Sequence, residues 1–278
     1  MEPAVFMLVA FVASIAAGVL GALVGLGGGI IVVPALTLFL GVEIRYAIGA
    51  SIISVIATSS AASARYIRDG LANLRVGMLL EPSTAIGGVL GGVLAGLLDP
   101  RWLYLCFGSM MALTALAMSR QRDADGALPL HPDPLARKLG LHGTVPGARG
   151  VPPRVYEVVR VRTGMSIAFG AGIMSGLLGV GGGIVKVPTM SLIMGMPLKA
   201  ATATSTLMIG VTAAASAGVY ISRGDVDPLI AGPVAAGVLV GASFGGSVLG
   251  RTRSGLLRAI FIIVLLVIAL RMVMRGFA

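Results

Sequence analysis

A chain of 278 residues with 56% hydrophobic and only 12% charged residues, and a mean hydropathy of +0.98, cannot be a soluble domain, which carries about 25% charged residues. It reads as a polytopic membrane protein. The formal net charge of +10 does not point to nucleic acid, because the arginines stand in the connections between apolar runs, where the positive-inside rule puts them.

In chain order the first apolar segment covers about 4–25. It lacks the basic start and small-x-small cleavage site of a signal peptide, so it is read as a membrane helix. It ends at Gly25-Leu26-Gly27-Gly28-Gly29-Ile30-Ile31-Val32-Val33-Pro34. Adjacent glycines break a helix, since each costs about 1 kcal/mol relative to alanine there and readily adopts positive φ. The apolar run that follows, about 30–40, would span roughly 17 Å as a helix, about half of a hydrocarbon core of about 30 Å. The next segments cover about 46–66, 76–98 and 102–119, separated by Glu43-Ile44-Arg45, Arg68-Asp69-Gly70 and Asp99-Pro100. Cys106 lies inside the last of these and reads as a core residue, with no disulfide or metal spacing around it.

Residues 120–162 are rich in proline, glycine and arginine, hold both histidines (His131 and His142) and show no apolar period, so a solvated linker is expected. Its basic excess places it in the cytoplasm. Beyond it Gly179-Val180-Gly181-Gly182-Gly183-Ile184-Val185-Lys186-Val187-Pro188 repeats the first glycine stretch at an offset of 154 residues. The same offset pairs Ser51 with Ser205, Thr58 with Thr212, Tyr66 with Tyr220, Gly87 with Gly241 and Phe107 with Phe261. The second half gives segments at about 164–178, 184–195, 200–221, 229–250 and 256–274. The chain therefore divides into a first transmembrane repeat (1–119), a cytoplasmic linker (120–162) and a second transmembrane repeat (163–278).

The basic connection follows the third segment in the first half and the fourth in the second, as inverted-topology repeats require. Arg271 and Arg275, which end outside, run against that bias. The fold expected is all-α: two inverted repeats with glycine-interrupted helices. Such repeats place a substrate site near the midplane, where the open N-termini of broken helices favour an anion. Candidate substrate contacts are Gly27, Gly28, Gly29, Gly181, Gly182 and Gly183, the hydroxyls of Ser51, Thr204 and Ser205, and Lys186. Lys186 lies three residues past the second triplet, where the first half has Val32. Either it binds an anion, or it snorkels to water or pairs with an acid. Glu81 is the other ionisable residue within a span, and its readings are proton coupling or an interfacial position. The spaced pairs Gly21-x-x-x-Gly25, Gly87-x-x-x-Gly91 and Gly241-x-x-x-Gly245 read as helix-packing contacts.

A phosphate loop would need a preceding strand and Gly-Lys-Ser/Thr, and no nucleophile–base pair is visible, so an enzyme is not expected. The paired Gly-x-Gly-Gly-Gly-x-x-x-x-Pro motifs, with Ala203-Thr204-Ser205 after the second and Gly49-Ala50-Ser51 after the first, resemble the TauE/SafE-type sulfite exporters (the TSUP family) over nearly the whole chain except 120–162. That resemblance implies movement of small anions, notably sulfite, organosulfonates or related compounds, across the cytoplasmic membrane of a prokaryote. The function expected is a secondary anion transporter working by alternating access; the alternatives are a passive anion channel or a membrane-embedded enzyme or scaffold. No cofactor is called for. The partners expected are a small anion, the bilayer and a coupling proton or ion, with the oligomeric state left open.

Overall fold

In the computed structural model the described residues are 2–24, 28–120, 133–146, 154–248 and 254–277. They are almost wholly helical. In the first half, α1 (Pro3–Val24) leads to the short α2 (Gly29–Pro34), then α3 (Ile44–Arg68), α4 (Leu74–Leu97) and α5 (Pro100–Arg120). In the second half, α7 (Val161–Leu178) leads to the short α8 (Gly183–Pro188), then α9 (Leu198–Ser222), α10 (Pro228–Val248) and α11 (Ser254–Phe277). Among the described residues, six of these helices are long and apolar enough to cross a membrane. The chain is a multi-pass helical membrane protein, with α3 and α9, both 25 residues long, starting 154 residues apart.

The two short helices share one irregularity. Pro34 and Pro188 supply no N–H to the helix ladder and crowd the carbonyl four residues back, and the chain continues as a wider π-helical turn over Ala35–Phe39 and Thr189–Ile193. Hydroxyls in each turn bond back to the carbonyl four residues earlier: Thr37 Oγ1 donates to Val33 O at 2.9 Å and Thr189 Oγ1 to Val185 O at 2.7 Å.

Packing is set by glycines. Methyl groups on Gly87 and Gly91 would overlap the α7 backbone at Phe169 and Ile173, and one on Gly241 would overlap Ile15 of α1. The pairs α4–α7 and α1–α10 therefore approach backbone to backbone, as small-residue stripes allow. In both pairs contacts advance together along the two chains, so the helices run parallel. The helices α5 and α11 run antiparallel instead: Gly108 faces Ala269 and Val273, while Leu105 faces Gly276. The chain reverses between α7 and α8, since Gly182 lies against Ala171 and Ser175 while Gly164, near the start of α7, touches Met194. The short helix thus returns to the side from which α7 entered.

The linker departs from expectation. Its described part is folded rather than solvated throughout. Asp133 caps α6 (Pro134–Lys138) through Leu135 N, and its other oxygen accepts from Val161 N at 3.0 Å. Strands β1 (Gly143–Val145) and β2 (Arg154–Tyr156) pair antiparallel. Leu141, Val145, Tyr156 and Val158 are buried in one cluster with Val76 and Leu80 of α4, Met194, and Ala200 and Met208 of α9. Burial pushes the Tyr156 phenol above its ordinary value, while the hydrogen bond from Asn73 works against that. Asn73 pins the contact: its Nδ2 donates to Leu141 O (3.1 Å) and to the Tyr156 hydroxyl (3.0 Å). The segment thus closes over the ends of α4 and α9 where the π turn after α8 also ends. His131 lies outside the described residues.

Candidate functional site

The two glycine turns meet at α3. Ser51 Oγ donates to Gly179 O at 2.8 Å, with Gly29 O at 3.4 Å, so one hydroxyl ties the start of α2 to the turn after α7. A methyl on Gly29 would come within 2.8 Å of Ser51 Oγ and 2.9 Å of Gly179 O. Gly181 sits between Val55 of α3 and Ile209 of α9. The second turn needs its glycines for φ, since Gly179, Gly181 and Gly182 have φ of +68°, +81° and +66°. Gly28, the equivalent of Gly182, is right-handed at φ −64°, so it is glycine for room: a methyl there would overlap Val238 of α10. Gly27 lies outside the described residues.

Lys186 is 2% exposed, and its Nζ donates to Thr212 Oγ1 at 2.8 Å. It does not snorkel. Thr212 Oγ1 lies 2.8 Å from Glu81 Oε1, 2.9 Å from Met208 O and 3.2 Å from Thr84 Oγ1. One hydroxyl therefore stands between an ammonium and a carboxylate, with no direct Lys186–Glu81 ion pair among the described residues. The second oxygen of Glu81, Oε2, is buried without a hydrogen-bond partner among them. Isolated charges are costly in a dry interior, so the cation and the carboxylate each depend on the other's presence.

Ser205 Oγ is also buried without a hydrogen-bond partner among the described residues. It faces Gly183, where a methyl would stand 3.7 Å from it, one turn before Lys186. Its repeat mate Ser51 is satisfied through Gly179, whose own mate, Gly25, lies outside the described residues. Thr204 is engaged elsewhere, since its Oγ1 accepts from Asn73 N at 2.9 Å near the linker. Gly183, Lys186, Ser205 and Glu81 thus gather around α9, whereas Ser51 serves the backbone and Thr204 the linker contact.

The residues that sequence reasoning missed are Thr84 and the central role of Thr212. Thr212 was visible as Ser205 plus seven, on the same helical face. Its partner Glu81 was not, because only the packing of both α4 and α8 against α9 brings it there.

The sulfite exporter TauE/SafE family model matches residues 10–272. The chain belongs to this family. It is 29% identical over 267 residues, 94% of each chain, to a Bacillus subtilis (strain 168) protein named "Probable membrane transporter protein YunE". A Xylella fastidiosa (strain 9a5c) protein named "Probable membrane transporter protein" is 27% identical over 260 residues, 92% of this chain and 90% of that one. No solved structure matches. Membership fixes the coarse function as membrane transport of a small molecule.

Proposed function

We propose that the protein is a secondary transporter of a small anion such as a sulfonate or sulfite, working by alternating access between two inverted repeats, with its site beside Lys186. The observation that carries this reading is a buried lysine on the short helix whose first residue, Gly183, faces Ser205, a buried hydroxyl without a hydrogen-bond partner among the described residues, beside the meeting of the two glycine turns. An oxyanion at that place could accept charge-assisted hydrogen bonds from Nζ and a neutral one from Oγ. Inversion is supported by the antiparallel run of α5 and α11, because equivalent helices in contact oppose each other only when the repeat axis lies across them. Three arginines on the face assigned to the outside are consumed by carbonyls, which offsets their conflict with the charge bias. Arg275 donates to Thr37 O, Arg223 to Gly92 O, and Arg45 to Leu98 O at 2.9 Å.

The test is a thermal-shift screen of sulfite, sulfoacetate, isethionate, taurine and carboxylates on purified protein, followed by counterflow of the best binder in proteoliposomes. Binding to the native state raises its stability, and counterflow requires a carrier. Voltage-scaled currents without accumulation would make the protein a channel. Absence of any flux in sealed vesicles would leave an enzyme or scaffold.

A further inference from the structure

Resting on the transport reading above, we propose that the coupling ion is a proton carried by Glu81, and that Thr212 links its protonation to the charge on Lys186. The geometry supplies a switch. Thr212 has one hydroxyl proton and two acceptors for it at nearly equal distance, Glu81 Oε1 at 2.8 Å and its own helix carbonyl, Met208 O, at 2.9 Å. With Glu81 ionised, the hydroxyl donates to the carboxylate while accepting from Lys186, and the cluster is neutral. When Glu81 takes a proton from solution, the carboxyl becomes a donor towards Thr212, whose hydroxyl proton then turns to Met208 O. Lys186 is left as a buried cation without a counter-charge. An anion beside it restores neutrality, so proton and anion are carried together, one proton for each monovalent anion.

The surroundings single out this pair. On α7 and α9 the ionisable side chains stand at the helix ends, as Arg162 and Lys199, while Arg75 and His142 lie where the linker closes over α4. Lys186 on α8 is the charged group that acts on Glu81. The repeat-related place beside α2 has no counterpart: Val32, Thr58, Ala235 and Val238 stand at the positions of Lys186, Thr212, Glu81 and Thr84, and Thr58 Oγ1 bonds back to Ser54 O at 2.9 Å.

Reciprocity of linkage gives the magnitude. If one proton accompanies each anion, affinity rises as pH falls, by up to roughly tenfold per pH unit where Glu81 titrates. Isethionate is a suitable probe because its charge does not change between pH 5 and 9. Calorimetric titration of wild-type protein should show that slope, and Glu81→Gln, which mimics the protonated acid, should bind with no slope. Thr212→Val should flatten the dependence and Thr212→Ser restore it. In proteoliposomes an acid-outside gradient should drive uphill isethionate uptake by wild type but not by Glu81→Gln. A flat wild-type profile, or a slope retained in Glu81→Gln, would overturn the proposal. If isethionate neither binds nor moves, the transport reading fails for that anion, and infrared titration without ligand still decides the proton site. A protonated-carboxyl band that grows on acidification and is missing from Glu81→Gln supports the assignment, and the absence of any such band removes it.

Discussion

The two halves share one scaffold and differ in what they place inside it. Around α2 the buried positions are apolar, with Ile30, Ile31, Val32 and Val33 buried and Val238 of α10 against Gly28. Around α8 the equivalents of Val32, Thr58 and Ala235 form a bridged charge pair. The repeat brings two glycine turns together, whereas its breakdown at a few positions supplies the chemistry. Symmetry alone would repeat the same environment twice, and one buried lysine, bridged to a carboxylate, sets the surroundings of α8 apart from those of α2.

The largest effect tests the relation between the halves. Arg68 and Ser222 are equivalent, exposed positions at the ends of α3 and α9. In a Cys106→Ala background, Arg68→Cys should react with a membrane-impermeant maleimide only from the cytoplasm and Ser222→Cys only from outside. Labelling of both from one face would make the repeats parallel and remove the midplane meeting of inverted hairpins.

Next in size is the buried pair. Lys186→Met leaves Glu81 with its cation gone, and breaking a buried pair costs about 3–5 kcal/mol. Lys186→Met with Glu81→Gln should recover much of that stability, a coupling of about 0.5–3 kcal/mol in a double-mutant cycle read by thermal unfolding. Isethionate affinity should fall roughly tenfold to a hundredfold in Lys186→Met, since a charge-assisted hydrogen bond is worth about 1.5–3 kcal/mol. Additive stability effects would mean that Thr212 does not couple the two charges.

The glycines separate the halves in another way. Gly182→Ala meets both a left-handed backbone, about 1–2 kcal/mol for an L-residue, and the Ala171 carbonyl 2.8 Å from the new methyl. Gly28→Ala has no backbone strain, and its obstacle is one valine methyl of Val238. Val238→Ala should therefore rescue the melting temperature of Gly28→Ala, whereas Ser175→Ala should not rescue Gly182→Ala. Equal rescue in both would mean that the two turns need glycine for the same reason.

These contrasts show what could be read from the sequence. The repeat, the helix breaks, the half-length helices and the unusual place of Lys186 all follow from local pattern. The Lys186–Thr212–Glu81 bridge does not, because its members come from three helices and Glu81 is 105 residues from Lys186 in the chain. The different reasons for Gly28 and Gly182 are invisible in identical letters. The folded linker left a faint signal, since Asp133-Pro134 is a helix start and Gly140, at φ +60°, follows its end. Its apolar residues were too sparse to show a period, and they find their core only against α4 and α9.

The smallest effect reverses sign between equivalent serines. Ser51 Oγ joins two hairpins through Gly179 O, so Ser51→Ala removes a buried bond, about 0.5–1.5 kcal/mol, and leaves that carbonyl short of a partner. Ser205 Oγ has no such partner among the described residues, so Ser205→Ala deletes a buried group that makes no hydrogen bond within them and, on the proposed reading, loses a contact to the anion. The expected outcome is a lowered melting temperature in Ser51→Ala, with isethionate affinity near wild type in the protein that remains folded. Ser205→Ala should show an unchanged or slightly raised melting temperature and an affinity weakened roughly twofold to tenfold, the equivalent of one neutral hydrogen bond at about 1.4 kcal/mol per decade. Should Ser205→Ala instead destabilise the protein and leave affinity intact, Ser205 would serve the fold as Ser51 does. Recognition of the anion would then rest on Lys186 and the backbone alone.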